Sequence, residues 1–71
     1  MNEITGDMKL ADVIRRWPDT ARIFRSRGCQ DADVQWFARV MTVRNAARMV
    51  GTDLPSLLAE LNRAATREHS R

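Results

Sequence analysis

Residues 10–29 read LADVIRRWPDTARIFRSRGC, and this stretch decides the architecture. Leu10, Val13, Ile14 and Trp17 stand at i, i+3, i+4 and i+7, which is one apolar stripe of a helix over about 9–17. Pro18 ends that helix, because the residue before a proline is pushed out of the α region. The same proline suits the first position of a second helix, over about 18–27, where its missing N–H costs nothing. Asp19 then lies near the positive end of the second helix dipole. Ala21 and Phe24 are expected to face the core with Ile23 beside them, and Arg25 and Arg27 fall in the last turn. Gly28 is the expected left-handed residue that closes the helix. Cys29, the only cysteine, follows at once.

On the N-terminal side, Asp7 or the residues just after it are expected to cap the first helix. Ile4-Thr5 is at most a short extended piece. On the C-terminal side three more helices fit. A segment over about 32–41, capped by Asp31 or Asp33, has Val34, Phe37, Ala38 and Met41 as its stripe, with Trp36 and Val40 flanking it. A segment over about 43–50 has Thr42 as N-cap, a stripe of Val43, Ala46, Ala47 and Val50, and Gly51 as its stop. A segment over about 54–65 has Asp53 as cap, Pro55 in the first turn, and the cleanest stripe of the chain in Leu54, Leu57, Leu58 and Leu61. Period-2 alternation does not persist anywhere. The fold class expected is therefore all-α: a compact array of about five short helices, one domain over residues 1–65, followed by a frayed tail over 66–71.

A chain of 71 residues buries only about 60% of its unfolded surface, so its stability margin is thin. It has no internal staple. One cysteine cannot form an intrachain disulfide, and one cysteine with His69 cannot make a four-ligand zinc site. No acid pair, nucleophile–base pair or phosphate loop is present, so neither a cofactor nor a metal is expected. The stretch Met1–Asp7 lacks the basic and apolar regions of a signal peptide, and no apolar run approaches the roughly 20 residues of a membrane span. A lone cysteine fits a reducing compartment, and the cytoplasm is the expected location.

The net charge is +3, and eleven of the twelve basic residues are arginine. Residues 15–48 carry eight arginines against Asp19, Asp31 and Asp33, a local excess of +5, while the rest of the chain sums to −2. A basic middle attracts acidic partners. The arginines are dispersed and have no aromatics alternating with them, so nucleic acid is the weaker choice of partner.

The ordered set Ile4-Thr5-x-Asp7-Met8-x-Leu10-x-Asp12-Val13-Ile14, Trp17-Pro18, Ala21-x-Ile23-Phe24-x-x-x-Gly28, Thr42-Val43-x-x-Ala46-Ala47, Gly51-x-Asp53 and Leu57-Leu58-x-x-Leu61-Asn62 resembles one small family over about residues 4–63. This is the domain-of-unknown-function family known as the hybrid-cluster-protein-associated redox disulfide domain. More distantly, the set is similar to the N-terminal domain of the iron–sulfur cluster repair di-iron proteins. The resemblance implies a helical domain of about five helices, found alone or fused to hemerythrin-like or sensor modules, in settings tied to nitrogen oxides, anaerobic metabolism or redox. It also implies a Cys-x-x-Cys pair, or a Cys-Cys-Gly-Gly run, in the loop after the second helix. Here that loop reads Gly28-Cys29-Gln30-Asp31 and holds one cysteine, so no resolving thiol exists within the chain.

Two sets of residues are candidates for function. Cys29 is the redox candidate: Arg25 and Arg27 are close in sequence, yet a helix C-terminus does not favour a thiolate, and a semi-buried structural cysteine is the plainer reading. Trp36, Phe37, Arg39, Val40 and Met41 are the interaction candidates. Neighbouring helical positions point about 100° apart, so Phe37 and Met41 facing the core would put Trp36 and Val40 nearer the rim. Trp17 reads as core. The function expected is a small non-enzymatic interaction or accessory module acting on another protein or a second copy of itself. A single-cysteine redox or metal-handling accessory, and nucleic-acid binding through the arginine-rich middle, are the alternatives.

Overall fold

Helix α1 (Leu10–Arg16) and helix α2 (Thr20–Ser26) meet at the Trp17-Pro18 corner, and α3 (Gln35–Val40), α4 (Val43–Val50) and α5 (Leu54–His69) follow. The computed structural model describes residues 3–32 and 34–69, with the side chains of Glu68 and His69 excepted. Asp33, proposed as a cap from sequence, and the last two residues of the expected tail therefore lie outside the described residues, as does the His69 side chain. Helix α1 packs on α2 and α3, and α5 packs on α2 and α4.

Among the described residues no strand forms. The one β-like contact is a bridge between Lys9 and Thr42. It is bracketed by Leu10 N–H donating to the Met41 carbonyl and Val43 N–H to the Met8 carbonyl, each at 2.9 Å. This short antiparallel contact sets the start of α1 against the α3–α4 junction.

Two helices end in the same way. After α2, Cys29 N–H donates to the Phe24 carbonyl at 3.0 Å and Gly28 N–H to the Arg25 carbonyl at 3.1 Å. After α4, Thr52 N–H donates to the Ala47 carbonyl at 2.9 Å and Gly51 N–H to the Arg48 carbonyl at 3.3 Å. Both are Schellman closures, which need a left-handed residue after the helix. Gly28 (φ 107°) and Gly51 (φ 74°) supply it. Thr42 caps α4 by accepting from Asn45 N–H at 3.1 Å, and Asp53 caps α5 by accepting from Ser56 N–H at 3.0 Å.

Four local expectations are corrected. Asp7 does not cap α1. Lys9 occupies that position without a side-chain cap, and Asp7 instead forms an ion pair with Arg44. Helix α3 starts at Gln35 rather than near 32, and Asp31 does not cap it. Ala32 is fully buried in the preceding turn, where its N–H donates to the Cys29 carbonyl at 3.3 Å. In α2 the buried positions are Thr20, Ile23 and Phe24, with Ala21 half-buried. The Thr20 hydroxyl donates to the Trp17 carbonyl at 2.6 Å, which lets this polar side chain lie in the core satisfied. Helix α5, expected over about 54–65, runs on to His69, with Ala64 and Ala65 buried and the Thr66 hydroxyl donating to the Asn62 carbonyl at 3.0 Å.

The core gathers Leu10, Val13 and Trp17 of the first stretch with Phe24, Phe37, Val43, Leu57 and Leu61. Ile4 joins it from the N-terminal segment. That segment is held by Asn62, whose Oδ1 accepts from Ile4 N–H at 2.8 Å and whose Nδ2 donates to the Ile4 carbonyl at 3.0 Å and the Leu58 carbonyl at 2.9 Å. Among the described residues no buried side-chain nitrogen or oxygen lacks a partner.

Candidate interaction site

The five interaction candidates divide between two sides of α3. Phe37 is buried and Met41 half-buried, so these two belong to packing. Trp36, Arg39 and Val40 point outward. Trp36 is 69% exposed and Val40 64% exposed, in a domain whose other aromatic rings all lie below 9%. The two are spaced i, i+4 and share one outer face. Trp36 is not loose on that face. Its ring meets Phe37 edge-on, with centroids 6.0 Å apart and planes at 86°, a favourable aromatic geometry. The inner ring thus braces the outer one. Trp17 has the opposite fate: it is buried, and the Arg16 guanidinium lies 4.8 Å above its ring.

Cys29 is only 2% exposed. Burial pushes its thiol pKa up, the nearby Asp31 carboxylate pushes it further, and a backbone hydrogen bond from Asp31 opposes both. Its place follows from the Schellman closure of α2. The residue two beyond the end of such a helix usually makes an apolar contact back onto the last turn, and Cys29 occupies that position. Arg25 and Arg27 do not activate it. Arg27 turns away to α5, where its guanidinium donates to Glu60 Oε1 at 2.9 and 2.7 Å and to Thr52 Oγ1 at 2.7 Å. Among the described residues no three His, Cys, Asp or Glu side chains come together as a metal site.

Two shallow clefts lie on other parts of the described surface. One, of about 290 Å³, lies between α1 and α3, with Ala11, Ile14, Ala32 and Ala38 along it and Arg15, Gln35 and Arg39 at its edges. The other, of about 410 Å³, runs between the N-terminal segment and α5 and is lined by uncharged residues, including Leu54, Leu58 and Asn62. Arg39 was legible as a candidate beside Trp36, but its partnership with Arg15 across a cleft was not. Asn62 and the Arg27–Glu60 pair are further functional or structural positions that periodicity does not mark. A polar residue directly following Leu61 in the strongest leucine stripe was the available signal for Asn62.

The model of one protein family matches residues 4–58 of this chain, from the clamped N-terminal segment to the second turn of α5. The chain belongs to the family described as Domain of unknown function (DUF1858). No curated protein and no solved structure gives a significant match. The family's matched span includes the whole α2–α3 loop, with Cys29, and all of α3, with Trp36. Among the described residues no helix is long and apolar enough to cross a membrane.

Proposed function

We propose that this DUF1858 domain is a non-enzymatic protein-interaction module whose contact face is the outer side of α3. One observation carries the reading: Trp36 and Val40 stand exposed on adjacent turns of one short helix, with Trp36 braced by the buried Phe37. Exposing a braced indole forfeits burial that the core could have used, and tryptophan is a favoured anchor where proteins meet. Arg39 on the same outward side supplies a positive rim that would steer an acidic partner. The partner is another protein or a second copy of the chain. A lone, buried thiol supports a reducing compartment such as the cytoplasm.

The redox alternative has less support. A thiol at 2% exposure with a raised pKa is a weak nucleophile, because the thiolate is the reactive form. Nucleic-acid binding has less support, because no aromatic ring lines the cleft between Arg15 and Arg39 and Arg27 is held by Glu60 of α5.

Sedimentation and acrylamide quenching of the parent and of Trp36→Ala test the reading. The expected result is one readily quenched tryptophan of the two, association or partner binding that Trp36→Ala abolishes, and little change in melting temperature. A parent that stays monomeric at high concentration, with Trp36→Ala mainly lowering the melting temperature, would place Trp36 in the packing and overturn it.

A further inference from the structure

The α1–α3 cleft faces a different flank of α3 from Trp36 and Val40, and of its lining residues only Arg39 also borders that outer face. Three of the four residues along it are alanines. Ala32 and Ala38 are buried and Ile14 half-buried, so the floor is backed by the core and is already formed. At about 290 Å³ the space falls at or just below the usual range for small-molecule sites, roughly 300–1,000 Å³, and suits one large side chain better than a cofactor.

The edges carry charge of one sign. Arg15 comes from α1 and Arg39 from α3, and among the described residues no carboxylate lines the cleft. The Arg15 side chain is 79% exposed and is held by Asp12 in an i,i+3 pair at 2.8 Å. Such an exposed pair is weak, so an incoming carboxylate can replace it. Arg39 makes no ion pair among the described residues. Gln35 adds an amide that can donate or accept.

We propose that this cleft seats one aliphatic or aromatic side chain of an acidic peptide segment on a partner protein, with carboxylates beside that side chain pairing to Arg15 and Arg39. Charge complementarity selects this occupant. A second copy docked by a two-fold axis would bring both pairs of arginines together, and like charges facing each other across an interface are penalised. Single-stranded nucleic acid calls for aromatic stacking platforms, and the cleft has none. The inference does not depend on Trp36, and the two surfaces are separable by mutation.

The test uses the intact chain labelled for NMR and a blocked peptide of the composition Asp-Glu-Leu-Phe-Glu-Asp as probe. The expected result is shifts at the methyl groups of Ala11, Ile14, Ala32 and Ala38. Each of Arg15→Glu and Arg39→Glu should weaken binding about tenfold, as expected for reversing a charge at a contact. Both are exposed positions, so folding is not at risk. The analogue with Asn and Gln in place of the acids should not bind, Ala11→Leu should block the cleft, and Trp36→Ala should leave binding intact. Absence of shifts at millimolar peptide overturns the proposal. So does equal binding of the uncharged analogue, or shifts centred on Trp36. Concentration-dependent shifts at the cleft without peptide would assign it to a second copy. Tighter binding of a short oligothymidylate at the same residues would assign it to nucleic acid. Either result also overturns the proposal.

Discussion

Asn62→Ala should be among the most damaging single substitutions in this domain, although the residue is polar and lies late in the chain. Asn62 makes three hydrogen bonds, two of them to the backbone N–H and carbonyl of Ile4, 58 positions away in sequence. It imitates a neighbouring strand for a segment that has none. At a net contribution of about 1 kcal/mol each, the three bonds account for roughly 3 kcal/mol. Ile4 is 1% exposed, so its freed backbone groups cannot simply turn to water in place. Either they stay buried and unsatisfied, at about 1–3 kcal/mol each, or the segment peels away and gives up the burial of Ile4, about 2 kcal/mol. Peeling is the cheaper response and sets the ceiling. The total is then about 3–5 kcal/mol, against about 4–11 kcal/mol for a whole domain of 71 residues.

For a domain of this size that corresponds to a fall in melting temperature of at least about 12 °C. Urea denaturation of Asn62→Ala, of a truncation that removes residues 1–5, and of the two combined measures the coupling directly. If Asn62 acts through Ile4, the substitution costs little in the truncated protein, because only the bond to the Leu58 carbonyl remains to be lost. Asn62→Asp sharpens the test. It keeps the acceptor for Ile4 N–H but sets a carboxylate against two carbonyls, so at neutral pH it should be at least as damaging as alanine. Acidification protonates that carboxyl, restores one donor, and should narrow its deficit relative to the parent. Additive costs in the double variant, or an Asn62→Ala loss below about 1 kcal/mol, would refute the clamp.

Leu57 and Leu61 are both buried, and Leu57→Ala should cost about 2–5 kcal/mol, read as a shift in the denaturation midpoint; an unchanged curve would move Leu57 off the core. Thr42→Ala removes the acceptor for Asn45 N–H and should cost about 1 kcal/mol, with α4 amides exchanging faster. Because the native thiol pKa of Cys29 is raised, the native state keeps its proton in a range where the unfolded chain has released it. Stability should therefore hold below the ordinary thiol range, about pH 8.5–9, and fall above it, a loss that Cys29→Ala should lack. Native Cys29 should also react with a thiol reagent far more slowly than in urea, and equal rates would show that the loop opens freely.

Legibility followed the range of the signal. Helix α4 was fully readable, 43–50 in both sequence and structure, because Thr42, its apolar stripe and the left-handed Gly51 all act within one or two turns. Helix α3 was half readable. Val34, Phe37, Ala38 and Met41 mark the correct inward face, but an apolar residue in a packed turn looks the same as one in a first helical turn, so Ala32 drew the start too early. The outward position of Trp36 followed from the arithmetic of that stripe. The clamp of Asn62 on Ile4 and the α1–α3 cleft were not readable, because each joins segments that periodicity treats as unrelated.

The matched family span stops at residue 58, yet the domain does not close there. Leu61, Ala64 and Ala65 complete the buried face of α5, and Glu60 holds Arg27 at the end of α2. Asn62 reaches back to the first residue of the matched span, Ile4. The last eleven described residues therefore fasten the N-terminal segment and the α2 terminus from a single helix. One consequence concerns Cys29. The loop that carries it is bound on one side by the Schellman closure and on the other by the turn into α3, while Arg27 anchors its base to α5. A thiol in such a loop can exchange with another sulfur only if several contacts release together. What stands exposed instead is the indole of Trp36 on one flank of α3 and, on another, Arg39, which with Arg15 of α1 frames an alanine-lined cleft.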